Sequence, residues 1–102
     1  MIVHMVLLRI RGNVPMREVE RVFQAAGALR TKIPGITGFS WGANNSPTGM
    51  HHGFTHGFCM GLRDKAARDA YLQHPEHERV RSMIGTVLEG GLDAVLEFDY
   101  AA

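Results

Sequence analysis

The hydrophobic pattern changes period several times along the chain. Residues 2–10, IVHMVLLRI, are β-branched and apolar and run into Arg11-Gly12-Asn13, which predicts a strand closed by a turn. Pro15 suits a first helical turn. Val19, Val22, Phe23, Ala26, Leu29 and Ile33 then recur at helical spacing until Pro34-Gly35 stops the helix. A second strand, ITGFSWGA (36–43), leads into the turn-rich NNSPTGMHHG (44–53), and FTHGFCMGL (54–62) follows as the third strand. Asp64 is placed to cap a short helix over 65–73. A further helical stretch runs from Pro75 to about Leu88, Gly90-Gly91 ends it, and LDAVLEFDY (92–100) forms the last strand.

The order is βαββαβ with the second helix broken at Pro75. Short connections and right-handed crossovers make this a ferredoxin-like α+β sandwich: one antiparallel sheet in the order 4-1-3-2, with the helices on one face. No linker or repeat divides the chain, so residues 1–102 read as one domain.

Helices can cover only one side of such a sheet, yet both sides of the first strand are largely apolar. Ile2, His4, Val6, Leu8 and Ile10 alternate with Val3, Met5, Leu7 and Arg9. By the same alternation Phe39 and Trp41 fall opposite Ile36. The uncovered face, bearing Val3, Met5, Phe39 and Trp41, is expected to pack on its own copy as a homodimer.

Composition narrows the classes. Of 102 residues, 45% are hydrophobic and 21% charged, which excludes a disordered or collagen-like chain. The formal charge is +1 without a basic stripe, which argues against a nucleic-acid partner. No apolar run reaches membrane-spanning length and the N-terminus lacks a signal pattern, so no membrane partner and a cytoplasmic location are expected. Cys59 is the only cysteine and reads as a small residue of the uncovered face. Six histidines are the oddity.

Several of those histidines point one way. Stepping back three from Val80 places His77 on the inward face of the last helix, and Tyr71 shares a face with Ala67 and Ala70. Burial and the exposed N–H groups of a helix start both disfavour imidazolium, so a neutral His77 is expected. His74, just before Pro75, is expected at the N-cap. His4 and His56 alternate with the core residues of their strands, ~13 Å apart along antiparallel neighbours. That spacing flanks a pocket, and with no H-x-x-x-H or HExxH pattern a metal site is not expected. His51 and His52 lie in the 44–53 loop, a candidate lid. Four polar rings converging on one helix–sheet space call for a wet cavity or a ligand, since buried polar groups are costly unless paired.

The stretches IVHMVLLRI, KIPGITGFSWGANNSP (32–47), GFTHGF (53–58), YLQHPEH (71–77) and LEFDY together resemble the stress-responsive dimeric α/β barrel domain (Dabb) family over nearly the whole chain. The resemblance implies a homodimer whose sheets pack face to face as a barrel. The motif residues are also similar to the olivetolic-acid-type polyketide cyclase branch, where a tyrosine–histidine pair runs an intramolecular aldol reaction. That similarity implies Tyr71 and His77 as the catalytic pair, with His4, His56 and His74 around the substrate. The first helix and the 44–53 loop carry no match to that branch.

The expected function is therefore a small-molecule pocket performing cofactor-free acid–base chemistry of the cyclase or lyase type on a carbonyl or polyketide-like compound. His77 would be the general base, and Tyr71 would orient it or stabilise an enolate. The alternative is a non-catalytic stress-response oligomer whose buried histidines satisfy structural hydrogen bonds.

Overall fold

A computed structural model describes the protein from Met1 to Ala102. Its elements are β1 (Ile2–Leu8), α1 (Met16–Ala28), β2 (Ile36–Ala43), β3 (His56–Leu62), α2 (Lys65–Leu72), α3 (Pro75–Gly85) and β4 (Val95–Ala101), with short 3₁₀ turns at Leu29–Thr31 and Leu92–Ala94. The strands form one antiparallel sheet in the order β2-β3-β1-β4, the ferredoxin-like arrangement read from the sequence. No helix is long and apolar enough to cross a membrane.

Local chemistry sets the ends of the elements. The Asp64 carboxylate accepts from the Ala67 amide at 2.8 Å and caps α2. Pro75 opens α3, where its missing N–H costs nothing, and His74 caps that helix by accepting from the Glu76 amide through Nδ1 at 3.0 Å. Pro15 stands at the N-cap of α1, one place before the first turn. Several expected elements run too long. Ile10 leaves β1 to bridge Leu88, α3 stops at Gly85, and residues 92–94 wind into a 3₁₀ turn before β4. Phe54 is likewise outside β3, because its amide is taken by the His51 carbonyl in the preceding turn.

Sixteen buried apolar residues form one core between the sheet and the helices, with Leu8, Val22, Phe23, Leu29, Met60 and Leu62 at its centre. Burying each such side chain contributes about 1.5–3 kcal/mol. Phe39 and Trp41 belong to this covered side, which corrects the expectation that they face outward. Trp41 stacks on Phe23 of α1 at 4.5 Å between ring centroids. Phe39 lies so close to Gly27 that a β-carbon there would come within 3.0 Å of its ring. The cause is a bulge: Ile36 pairs with Leu62 and Gly38 with Gly61, leaving Thr37 as the extra residue. One inserted residue reverses the side-chain phase of everything after it. The face left bare is instead built from Val3, Met5, Leu96, Phe98 and Tyr100, with Phe98 61% exposed.

Candidate functional site

A cavity of about 720 Å³ opens between the sheet and α3 and is rimmed by the Gly90–Leu92 turn. Its wall is mainly aliphatic, with Val6, Leu8, Val80, Ile84 and Leu88 prominent. At one end stand His4 from β1, Tyr71 from the last turn of α2 and His77 from the first turn of α3. The helix break explains how two adjacent helical segments reach one spot. A continuous helix would set residues 71 and 77 about 120° out from full turns, whereas restarting at Pro75 resets the phase. The Tyr71 and His77 rings then meet at 4.5 Å between centroids, and the His4 ring lies edge-on to Tyr71 at 5.8 Å.

His4 is only 2% exposed, and its Nδ1 meets Asp99 Oδ1 at 2.6 Å. Asp99 is held on its other oxygen by the Arg68 guanidinium at 3.0 Å. A carboxylate paired with guanidinium is an acceptor, so Nδ1 of His4 donates and a neutral ring keeps its lone pair on Nε2. Asp99 and Arg68 escape a reading by motif. Their signal is the charged pair Glu97 and Asp99 spaced two apart on the inward side of the apolar LEFDY strand, with Arg68 one turn before Tyr71.

His77 presents the opposite case. Its Nδ1 is buried without a hydrogen-bond partner. Burial pulls its pKa down, and the Leu72 backbone and the Glu97 carboxylate act against that shift. Burial also pushes the Tyr71 phenol well above its ordinary range, with the Glu97 and Asp99 carboxylates adding to the effect. The two rings therefore rest as a neutral imidazole and a protonated phenol, one able to take a proton and the other to donate a hydrogen bond.

Two predicted pocket residues lie elsewhere. His56 sits opposite Leu8, four residues along from the partner of His4, and lines a separate cavity of about 680 Å³. Its Nδ1 meets the Thr55 hydroxyl at 2.8 Å, its ring stacks near Phe23, and burial lowers its pKa. The 44–53 loop borders that second cavity through Asn44, Ser46, His51 and His52 and contributes no wall to the first. His74 is engaged as the α3 cap. No group of three or more His, Cys, Asp or Glu side chains is placed to hold a metal ion.

A ferredoxin-like sheet with an apolar cavity under a broken second helix defines a class that the comparisons resolve. The chain belongs to the stress-responsive A/B barrel domain family (Dabb), whose profile matches residues 2–102. It is 30% identical over 97 residues to the stress-response A/B barrel domain-containing protein HS1 of Arabidopsis thaliana, covering 95% of this chain and 85% of that protein. Among solved structures, a dimeric ferredoxin-like protein of unknown function from Jannaschia sp. superposes with a TM-score of 0.87 at 30% identity, over 99% of this chain and 98% of that one. A hydroxynitrile lyase from Passiflora edulis shares the fold with a TM-score of 0.83 at 17% identity, over 97% and 90% of the two chains.

Proposed function

We propose that the protein is a homodimer whose protomers each carry a small-molecule site under α3, performing cofactor-free acid–base chemistry on a carbonyl compound. The observation that carries this reading is the convergence of His4, Tyr71 and His77 at one end of an apolar cavity large enough for a small organic ligand. His77 takes a proton from the carbon beside the carbonyl. Tyr71, kept protonated, donates to the oxygen on which negative charge develops. His4, oriented by Asp99, accepts from a ligand hydroxyl through Nε2. One positioned acid or base of this kind is worth roughly 10²–10⁴-fold in rate. His56 and His74, expected from sequence to touch the substrate, have other partners and are left out of this constellation.

The dimer reading rests on the bare face, where Met5, Leu96, Phe98 and Tyr100 would otherwise stay in water. The Jannaschia relative is described as dimeric, and stacking the two sheets face to face would make the barrel. The Passiflora neighbour of the same fold is described as a hydroxynitrile lyase, which supports a lyase-type reading of the cavity.

The competing reading, a non-catalytic stress-response oligomer, draws on one feature: His4 is already satisfied by Asp99, as a purely structural histidine would be. Tyr71→Phe and His77→Ala separate the two. The catalytic reading expects both to lose turnover in a carbonyl-compound screen with little change in melting temperature. Marked destabilisation of both, with no compound bound or turned over by the unaltered protein, would favour the structural role.

A further inference from the structure

The two inward carboxylates of β4 are treated differently. Asp99 is held by His4 and Arg68. Glu97, two residues earlier and on the cavity rim, is in none of the ion pairs of the fold. The opposite rim carries Arg81 of α3, which is drawn outward to Glu78 at 3.5 Å and does not pair with Glu97. Below the rim lie the aliphatic wall and the polar end formed by His4, Tyr71 and His77.

Taking the cavity as a small-molecule site, as proposed above, we infer that Glu97 determines its specificity: the ligand is an apolar-bodied carbonyl compound that carries a cationic nitrogen, and carboxylates of the same shape are rejected. Three features support the sign. The only other carboxylate at the polar end is already neutralised by a guanidinium, so Glu97 supplies the unspent negative charge. The rings respond to it, since among the charged side chains Glu97 acts most strongly on both Tyr71 and His77, ahead of Arg81 at His77. An ammonium group beside Glu97 would find a partner, whereas a carboxylate would meet like charge across an apolar wall of low dielectric. Glu97 is exposed enough that solvent screens it, so the selectivity is moderate.

Three probes of one shape read this directly: n-hexylammonium, 1-hexanol and hexanoate at neutral pH. Binding is followed by shifts of the His4, Tyr71 and His77 ring signals in NMR titrations of the intact protein and of Glu97→Gln. Hexanol reports the cavity alone. In the unaltered protein the expected affinity order is hexylammonium, hexanol, hexanoate. Glu97→Gln should reduce the ammonium-to-carboxylate preference by about tenfold, since two opposite charges each lose or gain a few-fold, and leave hexanol within about twofold. An unchanged preference in Glu97→Gln, or hexanoate binding best to the unaltered protein, would overturn the role of Glu97 while leaving the cavity standing. If hexanol and both ions all fail to shift those rings, the small-molecule reading falls, and this one with it.

Discussion

Asp99→Ala is the substitution whose consequence the structure determines most fully. It removes the Nδ1 acceptor of a histidine that is only 2% exposed. A buried donor left unsatisfied costs about 1–3 kcal/mol, and more where charge is involved. The Arg68 side chain, 22% accessible, can instead turn to solvent and still keeps Asp69 at 2.8 Å, so its share is small. The sum is about 2–3 kcal/mol, which for a domain of this size corresponds to a fall of roughly 10–20 °C in melting temperature. Urea denaturation at fixed protein concentration measures it, since subunit association would otherwise move the midpoint. The double variant His4→Leu/Asp99→Ala provides the control. With both polar partners gone, neither side of the pair is left unsatisfied, so it should be no less stable than Asp99→Ala alone. A loss below 0.5 kcal/mol in Asp99→Ala, or strict additivity in the double variant, would refute the reasoning.

Other expectations follow from the same geometry. Burial lowers the pKa of His56 and of His77 below the ordinary histidine value of about 6.5, so the unfolded chain binds more protons than the folded one below that pH. Stability should be level above about pH 6.5 and fall as pH drops further, and His77→Leu should flatten part of that slope; a profile that rises on acidification contradicts the assignment. Phe98→Asp would bury an unpaired carboxylate in the bare face on each side of a two-fold contact, costing about 3 kcal/mol or more and yielding a monomer at micromolar concentration by light scattering; an undiminished dimer mass would place the interface elsewhere. His74→Ala should lose about 1 kcal/mol with the α3 cap and His74→Asn should recover most of it, whereas equal losses in the two would deny the capping role.

The elements and their order were legible because periodicity carries them: the α1 stripe of Val19, Val22, Phe23 and Ala26 is the buried stripe of the structure. The inward phase of Tyr71 and His77 came from the same source, while the caps at Asp64 and His74 were legible from residue type and from the break at Pro75. The outer face was misread at β2 because a bulge leaves no mark in alternation until its partner strand is known. The single extra residue at Thr37 moved Phe39 and Trp41 from the expected dimer face to the helix-covered side of the sheet. The separation of His56 from His4 was legible as a distance along the strands, but not that a second cavity would claim it. Asp99 and Arg68 were invisible as partners of His4, since residues 4, 68 and 99 meet only through the β1–β4 pairing and the docking of α2.

The most direct test of the account is proton exchange beside a carbonyl, which requires no knowledge of the natural substrate. 2-Octanone combines an alkyl chain for the aliphatic wall with a ketone for the polar end, and in D₂O its α-protons are counted by NMR as they are lost. The account predicts that the protein accelerates this exchange above the buffer rate, and that His77→Ala removes most of the acceleration, by roughly 10²-fold or more, with Tyr71→Phe also impaired. Exchange at the buffer rate with the unaltered protein, or an acceleration that survives in His77→Ala, would contradict it.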